Sequence, residues 1–168
     1  MGLRITDEQI EAIRQHAARE YPNECCGALL GVGRDEAKEV RGVQPLRNLR
    51  KGAARAGELL PLEAPERESE RNRFLIDPDD LRRAERDALG RGIEIVGFYH
   101  SHPDHPARPS EYDRDHAFPW YSYVIIAVEA GKPGRYTSWV LRDDRTQFDE
   151  ECLEVEGQRA PATAKGDQ

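Results

Sequence analysis

Apolar positions recur at helical spacing near the start of the chain, where Ile10, Ile13 and Ala17 follow Thr6 and Gln9. Thr6 and Gln9 stand three apart, as the two halves of a capping box do, so the pattern predicts an amphipathic helix from Thr6 to about Glu20. The period then shortens. Residues 25–32 are apolar and broken by glycine, residues 39–46 alternate, and Gly33-Arg34-Asp35-Glu36 between them reads as the turn of a hairpin. Residues 47–73 change character to charged and small, with apolar surface only at Leu59, Leu60 and Leu62, and predict a long flexible insertion. Asp77 as N-cap, Pro78 in the first turn and Asp79 and Asp80 after it begin a second helix. Leu81, Ala84, Ala88 and Leu89 form its apolar face, and Gly90 or Gly92 ends it.

Residues 93–99 are a strong strand pattern running straight into His100-Ser101-His102-Pro103. Residues 123–128, 135–141 and 148–155 predict three more strands, separated by Gly131-Lys132-Pro133-Gly134 and Arg142-Asp143-Asp144. Phe118, Trp120, Tyr121 and Tyr123, an aromatic cluster entering a strand, are expected in the core. Residues 157–168 hold too little apolar surface to pack and are expected to form a disordered tail.

At 168 residues the chain suits one domain, taken as residues 1–156, with residues 47–73 as an insertion. A net charge of −7 opposes a nucleic-acid partner, because gripping phosphates needs a basic surface. No apolar run approaches the roughly 18 residues of a membrane span, and residues 1–8 lack the apolar stretch of a signal peptide. A cytoplasmic, soluble protein with no membrane partner is expected. The three cysteines, Cys25, Cys26 and Cys152, are an odd number with two adjacent, which argues against a disulfide framework and for reduced, mostly buried thiols.

The chemistry gathers at the end of the strand at residues 93–99. Side chains two apart on a strand share a face, so His100 and His102 can converge on one ion while Ser101 faces away. Alone, such a pair is more often a polar surface than a metal site. Asp113, eleven residues beyond His102 across a proline-containing loop, supplies the anionic third ligand. Three protein ligands leave a position for water, the pattern of a catalytic zinc. Amide hydrolysis also needs a base, and Glu24, between the first helix and the first strand, is the candidate if its strand lies beside that of the histidines. Ser110 and Asp113 equally fit a helix capping box, so for Asp113 the ligand and capping roles compete. His105 and His116 lie near the motif without matching its spacing and are expected on a loop and a helix surface.

Glu24 before Cys25-Cys26-Gly27, then His100-Ser101-His102-Pro103, then Ser110-Glu111-Tyr112-Asp113, resemble the motif of the JAMM, or MPN-plus, metalloisopeptidases, and most of all the small prokaryotic members. The resemblance runs from about Thr6 to Val155. It implies one zinc ion per chain on His100, His102 and Asp113, Glu24 as general acid and base, and Ser110 stabilising the oxyanion. It also implies an α/β fold, a mixed β-sheet flanked by helices similar to the cytidine-deaminase arrangement. The deaminase signatures themselves are absent. The function so implied is hydrolysis of a peptide or isopeptide bond after the C-terminal Gly-Gly of a ubiquitin-like or sulfur-carrier protein. The alternative is a non-catalytic MPN-type scaffold, which would have no physical need for two histidines, an aspartate and a glutamate in register.

Overall fold

The structure, a computed structural model, describes residues 2–49 and 75–157. In chain order they form β1 (Gly2–Thr6), α1 (Asp7–Glu20), β2 (Cys26–Arg34), β3 (Ala37–Leu46), α2 (Pro78–Gly90), β4 (Glu94–Pro103), α3 (Glu111–His116), β5 (Ser122–Glu129), β6 (Lys132–Leu141) and β7 (Phe148–Glu156). The strands join in the order β1-β3-β2-β4-β5-β6-β7 and the sheet closes on itself, because β1 pairs with both β3 and β7. The sheet is mixed, as expected: β1 is parallel to both neighbours, β4 is parallel to β5, and the other ladders are antiparallel. Closure is the departure from expectation. It depends on β1, whose apolar residues Leu3 and Ile5 make too short an alternation to announce a strand.

Strand alternation sorts the side chains onto two faces of the sheet. One face buries Leu3, Ile5, Leu29, Val40, Val124 and Ile126 against Ile10, Ile13 and Ala17 of α1. The other presents Cys26, Ala28, Leu30 and Leu46 to Ala84 and Ala88 of α2. Each buried aliphatic side chain of this kind contributes roughly 1.5–3 kcal/mol. The α1 capping box is complete, with Gln9 N donating to Thr6 Oγ1 at 3.1 Å and Thr6 N to Gln9 Oε1 at 3.0 Å. Asp77 caps α2 by accepting from Asp79 N at 2.9 Å. Where the β6–β7 ladder stops at Ser138 and Glu151, α1 reaches across, and Arg14 donates to the carbonyls of Pro133 and Gly134.

Two of the hairpin turns are tighter than the sequence pattern suggests. Arg34 pairs with Ala37, leaving Asp35-Glu36 as the turn, and Glu129 pairs with Lys132, leaving Ala130-Gly131. Ala130 and Gly131 both have positive φ, 49° and 82°, as a two-residue turn matched to strand twist requires. The expected aromatic core is only partly present: Tyr123 is buried, but Phe118 and Trp120 are 60% and 39% exposed, because β5 begins only at Ser122 and the residues before it lie on the surface. Cys25 and Cys26 are buried on opposite faces and all three thiols are free, but Cys152 is exposed, pointing outward from β7. Of residues 47–73 only Arg47, Asn48 and Leu49 are described; the remainder, like residues 158–168, lies outside the described residues. Among the described residues no helix is long and apolar enough to cross a membrane.

Gly27 shows how tightly the α1 face is filled. It sits opposite Tyr99, and a Cβ there would come 2.1 Å from the tyrosine ring. Tyr99 is buried and its Oη is 2.7 Å from His16 Nδ1, so the ring cannot retreat without giving up that bond. Gly27→Ala is expected to cost about 1–3 kcal/mol, the usual range for overpacking, read as a lowered Tm or denaturation midpoint. Wild-type stability in this variant would mean that the ring has room to move.

Candidate metal centre

Strand β4 does not stop before the histidines but carries them. His100 and His102 project from its α2-facing side, whereas Tyr99 and Ser101 face α1. Ser101 has a structural task that the sequence did not disclose: its Oγ accepts from Cys25 N at 2.8 Å while its own N–H donates to Cys25 O at 3.2 Å. These bonds extend the antiparallel β2–β4 ladder beyond Cys26↔His100. Continued by one residue, the register sets Glu24 opposite His102. The two strands thus lie side by side, as the candidacy of Glu24 requires, and Glu24 is buried at 2% exposure.

The third group arrives on α3, a six-residue helix that forms because Ser110 caps it. Ser110 Oγ accepts from Asp113 N at 3.1 Å, and Asp113 Oδ2 accepts from Ser110 N at 2.8 Å. The same carboxylate faces both imidazoles, with Oδ2 3.1 Å from His102 Nε2 and Oδ1 3.2 Å from His100 Nε2. The capping and ligand positions, alternatives in the sequence, are held together by one side chain with two oxygens.

His100, His102 and Asp113 are all buried, and their donor atoms lie within 4.8 Å of one another. The two Nε2 atoms are 3.1 Å apart. His102 Nδ1 lies 2.9 Å from the Pro106 carbonyl, which can only accept, so Nδ1 carries the proton and a neutral His102 turns its Nε2 lone pair inward. A lone pair aimed at another imidazole nitrogen and a carboxylate oxygen is repulsive unless a proton or a metal cation sits between them. Donor separations of 3.1–3.2 Å fit one small ion, since tetrahedral zinc bonds of about 2.0–2.1 Å imply donors about 3.3 Å apart. The donor set therefore suits a divalent ion, and the Pro106 carbonyl is the outer partner that orients a ligating histidine. Burial pushes the Asp113 carboxyl up, but positive charge at the facing nitrogens, there carried by protonated His100 and His102 rings in place of a cation, prevails and holds it well below the usual carboxylate range.

Other groups fall outside the cluster. His105 and His116 are exposed, the latter bonded through Nδ1 to Tyr112 O, in keeping with their expected surface roles. Burial pushes the Cys25 thiol up to about 12 and raises Cys26 as well, opposite to what a thiolate ligand needs. Glu24 also lines a cavity of about 490 Å³ with His16, Glu20, Asn48 and Asp80.

A closed mixed barrel carrying two histidines on one strand, an aspartate on a capped helix and a buried glutamate in the neighbouring register defines a domain built around three donors positioned to bind a metal ion. Residues 6–142 match the family described as prokaryotic homologs of the JAB domain, and the chain belongs to that family, the JAMM/MPN group that its motif resembles. It is 30% identical over 151 residues to a desampylase of Haloferax volcanii, covering 89% of this chain and 91% of that one. It is 33% identical over 120 residues to a probable TtuB-protein conjugate cleaving protease of Thermus thermophilus, covering 71% of this chain and 66% of the relative. A solution structure from Desulfitobacterium hafniense superposes with a TM-score of 0.71 at 32% identity, covering 92% of each chain.

Proposed function

We propose that the protein is a zinc-dependent peptidase that hydrolyses the peptide or isopeptide bond after the C-terminal Gly-Gly of a ubiquitin-like or sulfur-carrier protein. The observation that carries this reading is the convergence of His100, His102 and Asp113, with Glu24 on the continuation of the neighbouring β2 strand as the candidate base. The conjugate-cleaving relatives support the substrate class. A zinc ion on the three donors supplies Lewis acidity and lowers the pKa of a water. Glu24 takes the proton of the attacking water as its oxygen bonds to the scissile carbonyl carbon. It returns that proton to the amine as the C–N bond breaks. Ser110 Oγ accepts from Asp113 N, which leaves the hydroxyl proton to donate to the developing oxyanion. Glycines before the scissile bond suit a site walled by two helices and a sheet, since they bring the carbonyl in with no side chain in the way.

The test offers the purified protein a ubiquitin-like or sulfur-carrier protein from the same genome, extended beyond its Gly-Gly, alongside a Gly-Gly→Ala-Ala version. Release of the extension from the first and at least tenfold slower release from the second is expected. Equal cleavage of both, or general digestion of unfolded peptides, overturns the specificity. No cleavage together with no bound metal leaves the scaffold alternative.

A further inference from the structure

We propose that Asn48 is a positioning residue for Glu24, an inference that rests on Glu24 being the base. Cys26 pairs with Leu46 on β3 and with His100 on β4, so two residues further along the same row come Asn48, Glu24 and His102. The β2–β3 ladder ends at Cys26 and Leu46. Beyond it, the Asn48 side chain takes over from the strand: Nδ2 donates to the Glu24 carbonyl at 3.0 Å. Its other end is fixed too, with Oδ1 accepting from Leu75 N at 3.0 Å. The backbone around it is held by Leu49 N to Leu75 O at 2.9 Å and Asp77 N to Arg47 O at 3.3 Å. Arg47 in turn grips Asp77 and Asp80 at the start of α2. The Glu24–Cys25 peptide is thereby clamped from two sides, by Asn48 at its carbonyl and by Ser101 at its N–H.

Asparagine suits this place because its amide holds a donor and an acceptor on separate atoms of one short, planar group, whereas ionised Asp has no donor and Ser would have to serve both partners from a single oxygen. A catalytic base displaced by about 1 Å can lose roughly 100-fold in rate, whereas substrate and metal contacts made elsewhere persist. The Asn48 amide bonds to Glu24 O and Leu75 N both go to backbone groups outside the His100-His102-Asp113 cluster, so the effect of losing them should fall on kcat.

The experiment compares wild type, Asn48→Ala and Asn48→Asp for kcat, KM, zinc content and amide hydrogen exchange at Cys25. Asn48→Asp keeps the acceptor for Leu75 N but loses the donor to Glu24 O. Both variants are expected to lower kcat by about 10–100-fold, with KM within about twofold, full zinc content, and faster exchange at Cys25. If Asn48→Asp matches wild type in kcat and exchange, Asn48 serves only the Leu75 tether and the proposal is overturned. Loss of zinc or a large rise in KM in both variants overturns it as well. Should wild type itself hydrolyse nothing, the proposed function fails, and Cys25 exchange alone decides: unchanged protection in the variants refutes the positioning, faster exchange upholds it.

Discussion

Glu24→Gln is expected to bind zinc with wild-type stoichiometry, melt near the wild-type temperature and lose at least about 1,000-fold in kcat. The magnitude follows from the part a positioned base plays, typically 10²–10⁴-fold. The clean separation of effects follows from the structure. Glu24 is buried, so an amide of the same shape keeps the volume filled. Its backbone carbonyl, not its side chain, receives Asn48, and the bonds that align β2 with β4 belong to Cys25 and Ser101. None of these depends on the carboxylate, and neither does the convergence of His100, His102 and Asp113. Replacing a buried carboxylate by a neutral amide also removes a desolvation cost, so stability should hold or rise slightly. The measurement is single-turnover cleavage of the extended Gly-Gly substrate beside elemental analysis of the same preparation. Activity within tenfold of wild type at full zinc content would mean that another group takes the proton.

The convergence of His100, His102 and Asp113 was legible in the sequence because its parts are local. His100 and His102 share a strand face by period two, and Ser110 to Asp113 is a capping box readable at fixed spacing. The apparent competition at Asp113 arose from treating a carboxylate as one acceptor, whereas Oδ2 faces both Ser110 N and His102 and Oδ1 faces His100. What escaped the sequence was set by contacts between distant segments. Closure of the sheet depends on β1 meeting β3 and β7, and no pattern within Gly2–Thr6 encodes those partners. The role of Ser101 is hidden for the same reason: period two says that it faces away from the metal, not that it meets Cys25 N. Asn48 sits where β3 ends, in a composition that reads as the start of an insertion, and only the register across β3, β2 and β4 brings it beside Glu24. The surface position of Phe118 and Trp120 likewise follows from where β5 begins, a boundary that aromatic content does not mark.

Asp113→Ala and Asp113→Asn separate the two duties of that side chain and should differ in stability but agree in metal binding. The alanine variant loses both, since nothing remains to accept from Ser110 N or to face the imidazoles. That half of the capping box, one hydrogen bond, is worth about 0.5–1.5 kcal/mol. Asparagine retains an oxygen that can accept from Ser110 N, so α3 should keep its start, but it brings no negative charge to the two histidines. Zinc affinity should fall in both variants by more than the 10–100-fold that losing an outer partner costs, and hydrolysis should fall with it. A thermal measurement makes the distinction quantitative. Zinc at about 100 times its Kd stabilises a folded protein by about 2.7 kcal/mol, so wild type should melt higher with zinc and lower with a chelator. Asp113→Asn should melt close to chelated wild type and respond little to zinc, and Asp113→Ala should melt lower again by the value of the cap. Stoichiometric zinc retained by either variant after dialysis would remove Asp113 from the ligand set and leave it a helix cap alone.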